Sequence, residues 1–165
     1  MKSFDLSLYL VLDPDLCRDH SMVETTMAAI AGGATLMRLR DKKAGTEGLI
    51  RVGRELMKAM EGTNVPLIVN DDPRMAARIG ADGVHLGALD MQVKEARKRL
   101  GKQPIIGATA KNSRHVAMEA GEQGADYVAF GAFFPSETKA DTVPADPELL
   151  SWWQAVMELP CVAIG

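Results

Sequence analysis

Short apolar runs alternate along the chain with longer stretches whose apolar residues recur at helical spacing. The runs are LYLVL (8 to 12), TLMRL (35 to 39), PLIV (66 to 69), GVHL (83 to 86), PIIGA (104 to 108), YVAF (127 to 130) and CVAI (161 to 164). Each has the length of a buried strand. Between them SMVETTMAAIAGG (21 to 33), TEGLIRVGRELMKAMEG (46 to 62), DMQVKEARKRLG (90 to 101) and SRHVAMEAGEQG (113 to 124) carry apolar residues at i, i+3 and i+4, which predicts amphipathic helices. Ser21, Thr46, Asp72 and Ser113 stand at N-cap positions, and Gly33, Gly62, Gly80, Gly101 and Gly124 stand where helices end in a left-handed residue.

Strand and helix alternate without hairpin signals, which predicts parallel strands joined by right-handed crossovers in an α/β fold. GGATLMRL (32 to 39), GADGVHLG (80 to 87) and GADYVAFG (124 to 131) repeat one design of glycine, small residue and buried strand. A repeated strand-helix unit with no linker-like break predicts a single (β/α)8 TIM-barrel domain over residues 1–165. Seven strands are read where eight close a barrel. The expectation is therefore a domain lacking its last helix-strand-helix, incomplete at its C-terminus.

Composition acts mainly by exclusion. A chain with 47% hydrophobic and 25% charged residues is globular rather than disordered. A net charge of -3 gives no broad basic field for nucleic acid, and RLRDKK and KEARKRL are short enough to be solvated faces. No run approaches the roughly 18 apolar residues of a membrane span, and the N-terminus lacks a signal-peptide cleavage site, so a cytoplasmic protein is expected. Cys17 and Cys161 are far apart without metal-ligand spacing and read as reduced, structural residues. Oligomeric state is left open, a homo-oligomer included.

In a barrel the residues just after each strand line one mouth, so chemistry is sought there. Arg38, Arg40 and Lys42 alternate at i, i+2 and i+4, which directs them to one side of an extended segment. Such a fork of donors suits a phosphate, although a charged strand terminus is also commonly just solvated. Strand three ends in Asn70, Asp71 and Asp72 before Pro73, and Asp72 suits both a helix cap and a site. Asp90 follows strand four and equally suits a cap on a helix from Met91. Two carboxylates at neighbouring strand ends require a proton or a cation, and magnesium takes one or two carboxylates together with waters and phosphate oxygens. With Arg40 and Lys42 this predicts a pyrophosphate-bearing small-molecule substrate. Thr109, Lys111 and Asn112 follow strand five, and Ser136, Thr138 and Lys139 lie in a loop able to cradle an anion. His85, inside a strand, reads as a hydrogen-bonded core group rather than a base, and the helical methionines with Trp152 and Trp153 read as packing.

GGATLMRLRDKK, PLIVNDDPRMAARIGADGVHLGALDM, IIGATAKN, GADYVAFGAFFPSETKAD and LPCVAIG, in that order, resemble the thiamine-phosphate synthase family, also called thiamine-phosphate pyrophosphorylase. The resemblance implies a TIM barrel and a magnesium-dependent transferase of thiamine biosynthesis. That reaction joins hydroxymethylpyrimidine pyrophosphate to thiazole phosphate, giving thiamine phosphate and pyrophosphate through a pyrimidine carbocation. It implies Asp72 and Asp90 as magnesium ligands, and Arg40, Lys42 and Asn70 as binders of the pyrimidine pyrophosphate. Thr109 and Lys139 take the pyrophosphate and are the candidate catalytic residues, Ser136 and Thr138 match thiazole-phosphate contacts, and Gly165 joins the substrate-binding set.

The chain departs from the family pattern at named positions. Arg38 replaces a glutamine and is itself assigned to substrate binding, Ala88 replaces the glutamine before the Asp90 ligand, and Thr109 and Lys111 replace a serine and a histidine. Ala140 replaces a lysine. Two alternative functions stay open: a thiazole tautomerase-like relative, which does not need both carboxylates, and a non-catalytic phosphate-ligand binding or regulatory barrel.

Overall fold

The structure is a computed structural model of the chain, and it describes residues 4–17, 20–135 and 143–165. Two compact units are present, Met1–His85 with Arg99–Ile105, and Leu86–Lys98 with Ile106–Gly165.

In the first unit β1 (Tyr9–Leu12), β2 (Leu36–Leu39), β3 (Leu67–Asn70) and β4 (Gly83–Leu86) alternate with α1 (Pro14–Cys17), α2 (Met22–Ala31), α3 (Thr46–Ala59) and α4 (Pro73–Ile79). The strands pair in parallel and in chain order, with Val11 beside Arg38, Arg38 beside Ile68 and Asn70 beside His85. Ile105 donates its N–H to the Asp82 carbonyl at 2.9 Å, bringing the first residue of β5 (Ile105–Lys111) beside the start of β4. In the second unit β5, β6 (Tyr127–Phe130) and β7 (Cys161–Ala163) are parallel neighbours, with α6 (Arg114–Glu122) and α7 (Glu148–Val156) between them. Helix α5 (Val93–Leu100) precedes β5. Within each unit the strand order is that of the chain, as in a repeated strand-helix unit whose crossovers all run the same way.

Because side chains alternate across a strand, the registers sort the first unit into two faces. Leu12, Met37, Leu39 and Leu67 leave one face and pack with Leu56 and Met60 at the C-terminal end of α3. Leu39, Leu56 and Leu67 are fully buried, and each contributes on the order of 1.5–3 kcal/mol by leaving water. Arg38, Asn70 and His85 leave the opposite face, so a run that looks uniformly apolar carries its polar residues on one side only.

The internal repeat has a structural meaning. Gly33, Gly80 and Gly124 adopt φ of 101°, 81° and 96°, conformations that cost little only for glycine. The following Ala34, Ala81 and Ala125 each donate an N–H to a carbonyl five residues back, at 2.9, 3.0 and 3.0 Å, closing the helix end. The next side chain then reaches the start of the preceding strand. Thr35 Oγ1 accepts from Leu8 N at 3.0 Å, Asp82 Oδ2 from Leu67 N at 3.0 Å, and Asp126 Oδ2 from Ile106 N at 2.7 Å. Each Gly-Ala-Thr/Asp unit thus stops a helix and clamps a strand.

Some local expectations change. Helix α3 starts at Thr46 itself, with Gly45 as a cap that makes no side-chain hydrogen bond, because Thr46 already has helical backbone. Helix α5 starts at Val93, which puts its cap at Gln92, so Asp90 lies two residues too early to cap it. Strand β5 runs on to Lys111, which places Thr109 and Lys111 within the strand rather than after it. Ser21, Asp72 and Ser113 cap their helices as expected, Ser21 in a reciprocal capping box with Glu24.

Candidate functional site

In the first unit the polar residues gather at the C-terminal ends of β1, β2 and β3. The Leu12–Leu39 register carries Asp13 alongside Arg40, and Arg40 Nη1 donates to Asp13 Oδ2 at 2.5 Å with both side chains largely buried. Arg38 is 7% exposed, and its Nε donates to Asn70 Oδ1 at 2.6 Å while Nη2 donates to the same oxygen. The expected three-cation fork is therefore divided among different partners. Arg38 is taken by Asn70 and Arg40 by Asp13, whereas Lys42 is exposed and finds no partner among the described residues. The fork came from spacing along one strand, and the acceptors came from neighbouring strands.

Asp71 follows β3 with φ of 66°, a left-handed conformation that few non-glycine residues adopt, and its N–H donates to the His85 carbonyl at 2.8 Å. That turn delivers Asp72 to the start of α4. Asp72 Oδ1 accepts from Arg74 N at 2.8 Å, and Arg74 adds side-chain bonds to both carboxylate oxygens at 3.1 and 3.0 Å. Partial burial pushes the Asp72 carboxyl up, but the side-chain, backbone and charge interactions with Arg74 together hold it below the usual carboxylate range. Asp72 is thus both cap and ionised oxygen donor. His85 is fully buried on β4, its ring 6.4 Å from that of Tyr9 in an edge arrangement, which matches a core group.

In the second unit Gly87 to Asp90 form the turn after β4. Gly87 donates its N–H to Asp90 Oδ2 at 2.6 Å, while Asp90 itself is exposed. Among the described residues Oδ1 of Asp90 makes no further hydrogen bond. Asp90 and Thr109 line a cavity of about 150 Å³ with Gly87, Ala88, Glu119 and Gln123. Ala88 leaves part of that space where the resembled pattern has a glutamine. Lys111 ends β5 with φ of 53°, and Asn112 Nδ2 donates to the Pro144 carbonyl at 3.2 Å. Gly165 is exposed two residues past β7, with Phe134 against it. Ser136, Thr138, Lys139 and Ala140 lie outside the described residues.

A larger hollow of about 460 Å³ in the first unit is lined by Met57, Met60, Val65, Pro66, Asp82 and Ile105, among others. It sits at the starts of the strands rather than their ends. Strand starts in parallel α/β architectures serve stability and strand ends serve chemistry, so residue chemistry outweighs size here. Sequence reasoning missed Asp13, the partner of Arg40, and Arg74, the partner of Asp72. Asp13 directly follows the first strand, so the same strand-end rule would have found it.

Both cysteines are free, Cys17 buried and Cys161 half-buried, where burial pushes the thiol pKa up. Trp153 is fully buried against Phe130, and its Nε1 donates to the Leu159 carbonyl at 2.6 Å, while Trp152 stacks under Arg114. These residues serve packing. No helix among the described residues is long and apolar enough to cross a membrane.

Residues 8–165 match the profile of the family described as thiamine monophosphate synthase. Thiamine-phosphate synthase of Rhodospirillum centenum is 48% identical over 163 residues, covering 98% of this chain and 78% of that protein. The Hyphomonas neptunium thiamine-phosphate synthase is 48% identical over 167 residues, covering 96% of this chain and 74% of that protein. Among solved structures, thiamine phosphate pyrophosphorylase from Pyrococcus furiosus superposes with a TM-score of 0.82 at 32% identity, over 97% of this chain and 75% of that one. A profile match from the first strand onward, together with relatives of this identity over nearly all of its length, means that the chain belongs to the thiamine monophosphate synthase family.

Proposed function

We propose that this protein is a thiamine-phosphate synthase, a transferase of thiamine biosynthesis acting on two small molecules in the cytoplasm. It displaces pyrophosphate from hydroxymethylpyrimidine pyrophosphate with the ring nitrogen of thiazole phosphate. The observation that carries this reading is positional. Within each unit the described motif residues stand within the last residues of parallel strands or in the turns that follow them: Arg40, Lys42, Asn70 and Asp72 in one, Asp90, Thr109 and Gly165 in the other. The full reading includes an eight-stranded barrel, of which seven strands are described.

Asp72 and Asp90 are the residues that would hold magnesium. Their donor set suits it: hard carboxylate oxygens, Asp72 held ionised, Asp90 exposed with Oδ1 making no hydrogen bond among the described residues. Magnesium takes one or two carboxylates and completes its shell with water and phosphate oxygens. Bound magnesium would offset charge that develops on the leaving pyrophosphate.

The chain's own residues supply the rest. Lys42, exposed and without a partner among the described residues, binds the pyrophosphate as a mobile cation, and Arg40 adds a guanidinium whose direction Asp13 fixes. Thr109 and Lys139 add a hydroxyl and a further cation for the leaving group. Ser136, Thr138 and Gly165 take the thiazole phosphate. Bond breaking that runs ahead of bond making calls for charge stabilisation rather than a base. This accords with a buried His85.

The test is pyrophosphate release by the full chain with both substrates and magnesium. Turnover that falls at least about 100-fold in Asp90→Ala, with the fold intact, supports the reading. Absence of turnover in the wild-type protein, with normal substrate binding, overturns it in favour of a binding role.

A further inference from the structure

We propose that Arg38 is a positioning residue: it fixes the Asn70 side chain so that Asn70 presents only N–H donors to the pyrimidine substrate. The inference rests on the synthase reading above and deepens it, since Arg38 entered as a direct substrate binder. Arg38 sits on β2 beside Ile68, and Asn70 lies two residues further along β3 on the same face. Arg38 as a whole is 7% exposed, and its guanidinium spends two donors, Nε and Nη2, on the single oxygen Asn70 Oδ1.

Chemistry dictates the amide's orientation. A guanidinium carries five N–H donors and no acceptor, so only the carbonyl end of Asn70 can face it, and the NH₂ end faces elsewhere. An unrestrained asparagine offers a substrate either an acceptor or a donor, and Arg38 removes the acceptor. The substrate atom that meets Asn70 must then itself accept, as a ring nitrogen or a phosphate oxygen does and an exocyclic amino group does not.

Burial strengthens the restraint. No carboxylate lies within ion-pair distance of Arg38 among the described residues, so the neutral amide is the one partner its charge has there. Leaving that site would strand a largely buried cation. A residue in this position has no comparable freedom to swing toward a phosphate, unlike Lys42, which is exposed and unpartnered among the described residues.

The test is a double-variant cycle on the full chain, with pyrophosphate release measured against hydroxymethylpyrimidine pyrophosphate at saturating thiazole phosphate and magnesium. Arg38→Met is expected to raise KM for the pyrimidine substrate about three- to tenfold, the worth of one hydrogen bond, while KM for thiazole phosphate stays within about twofold. Arg38→Lys restores part of the loss. Asn70→Asp keeps a partner for Arg38 but removes the N–H donors, and raises the same KM by about tenfold or more. Because Arg38 acts through Asn70, the variant carrying both Arg38→Met and Asn70→Asp matches Asn70→Asp alone to within about twofold. Losses that multiply overturn the proposal, since Arg38 would then touch substrate itself. A second readout is independent of turnover: ¹⁵N relaxation of the Asn70 side-chain amide, without substrates, is expected to be rigid in the wild type and mobile in Arg38→Met. An amide equally mobile in both overturns the proposal, whereas absent turnover with a rigid amide overturns only the synthase reading.

Discussion

Replacing Asp126 by alanine removes an acceptor from two donors at once. Asp126 Oδ2 accepts from Ile106 N at 2.7 Å and from Arg97 Nη2 at 2.5 Å. Ile106 is fully buried, and the Arg97 and Asp126 side chains are 19% and 18% exposed, so neither donor is well placed to recruit bulk water. Arg97 keeps the Gly124 carbonyl, to which its Nη2 donates at 2.8 Å, and this limits the damage. A hydrogen bond to a charged group contributes about 1.5–3 kcal/mol, and removing one partner of a buried pair costs about 3–5 kcal/mol. With part of that screened by solvent, the expected loss for Asp126→Ala is about 3 kcal/mol, or a Tm lower by about 6–12 °C in a domain of this size. Urea unfolding followed by circular dichroism at neutral pH measures it. Asp126→Asn keeps an acceptor for Ile106 and should lose about half as much. Thr35→Val removes the equivalent but neutral clamp on Leu8, itself 49% exposed, and should lose no more than about 1 kcal/mol. Equal losses for Thr35→Val and Asp126→Ala, or a loss below about 1 kcal/mol for the latter, would refute the reasoning.

Gly107→Ala places a Cβ 2.0 Å from the Tyr127 ring, so the ring must move; a cost of about 3 kcal/mol or more is expected, and an unchanged Tm would contradict it. Because the folded Asp72 carboxyl is held below its unfolded value, its ionic contribution is present above about pH 4 and is lost as pH falls through the lowered folded value. The stability gap between wild type and Asp72→Asn should therefore narrow on going from about pH 6 to about pH 3, and a constant gap in urea melts argues against the Arg74 pairing. Trp153→Ala empties a fully buried site and frees the Leu159 carbonyl, so a loss of about 3–5 kcal/mol in denaturant titration is expected, with wild-type stability as the contrary result.

Features that depend on a residue's own turn or strand were legible in the sequence. The Asp72–Pro73 cap, the Ser21–Glu24 box and the left-handed glycines at 33, 80 and 124 need only neighbours a few positions away. Seven apolar runs became seven strands, offset by a residue at most of their starts, because a strand buried on both faces must be continuously apolar. The repeat at 32, 80 and 124 was visible as a pattern, but its role as a clamp on the preceding strand was not. Partners were the part that tertiary structure alone decided. Arg38, Arg40 and Lys42 read as one fork, yet Arg38 bonds Asn70 32 residues away and Arg40 bonds Asp13 27 residues away. Alternation along a strand tells which face a side chain leaves, while the register of the neighbouring strand determines which acceptor it meets, and that register follows from the packing of the whole sheet against its helices.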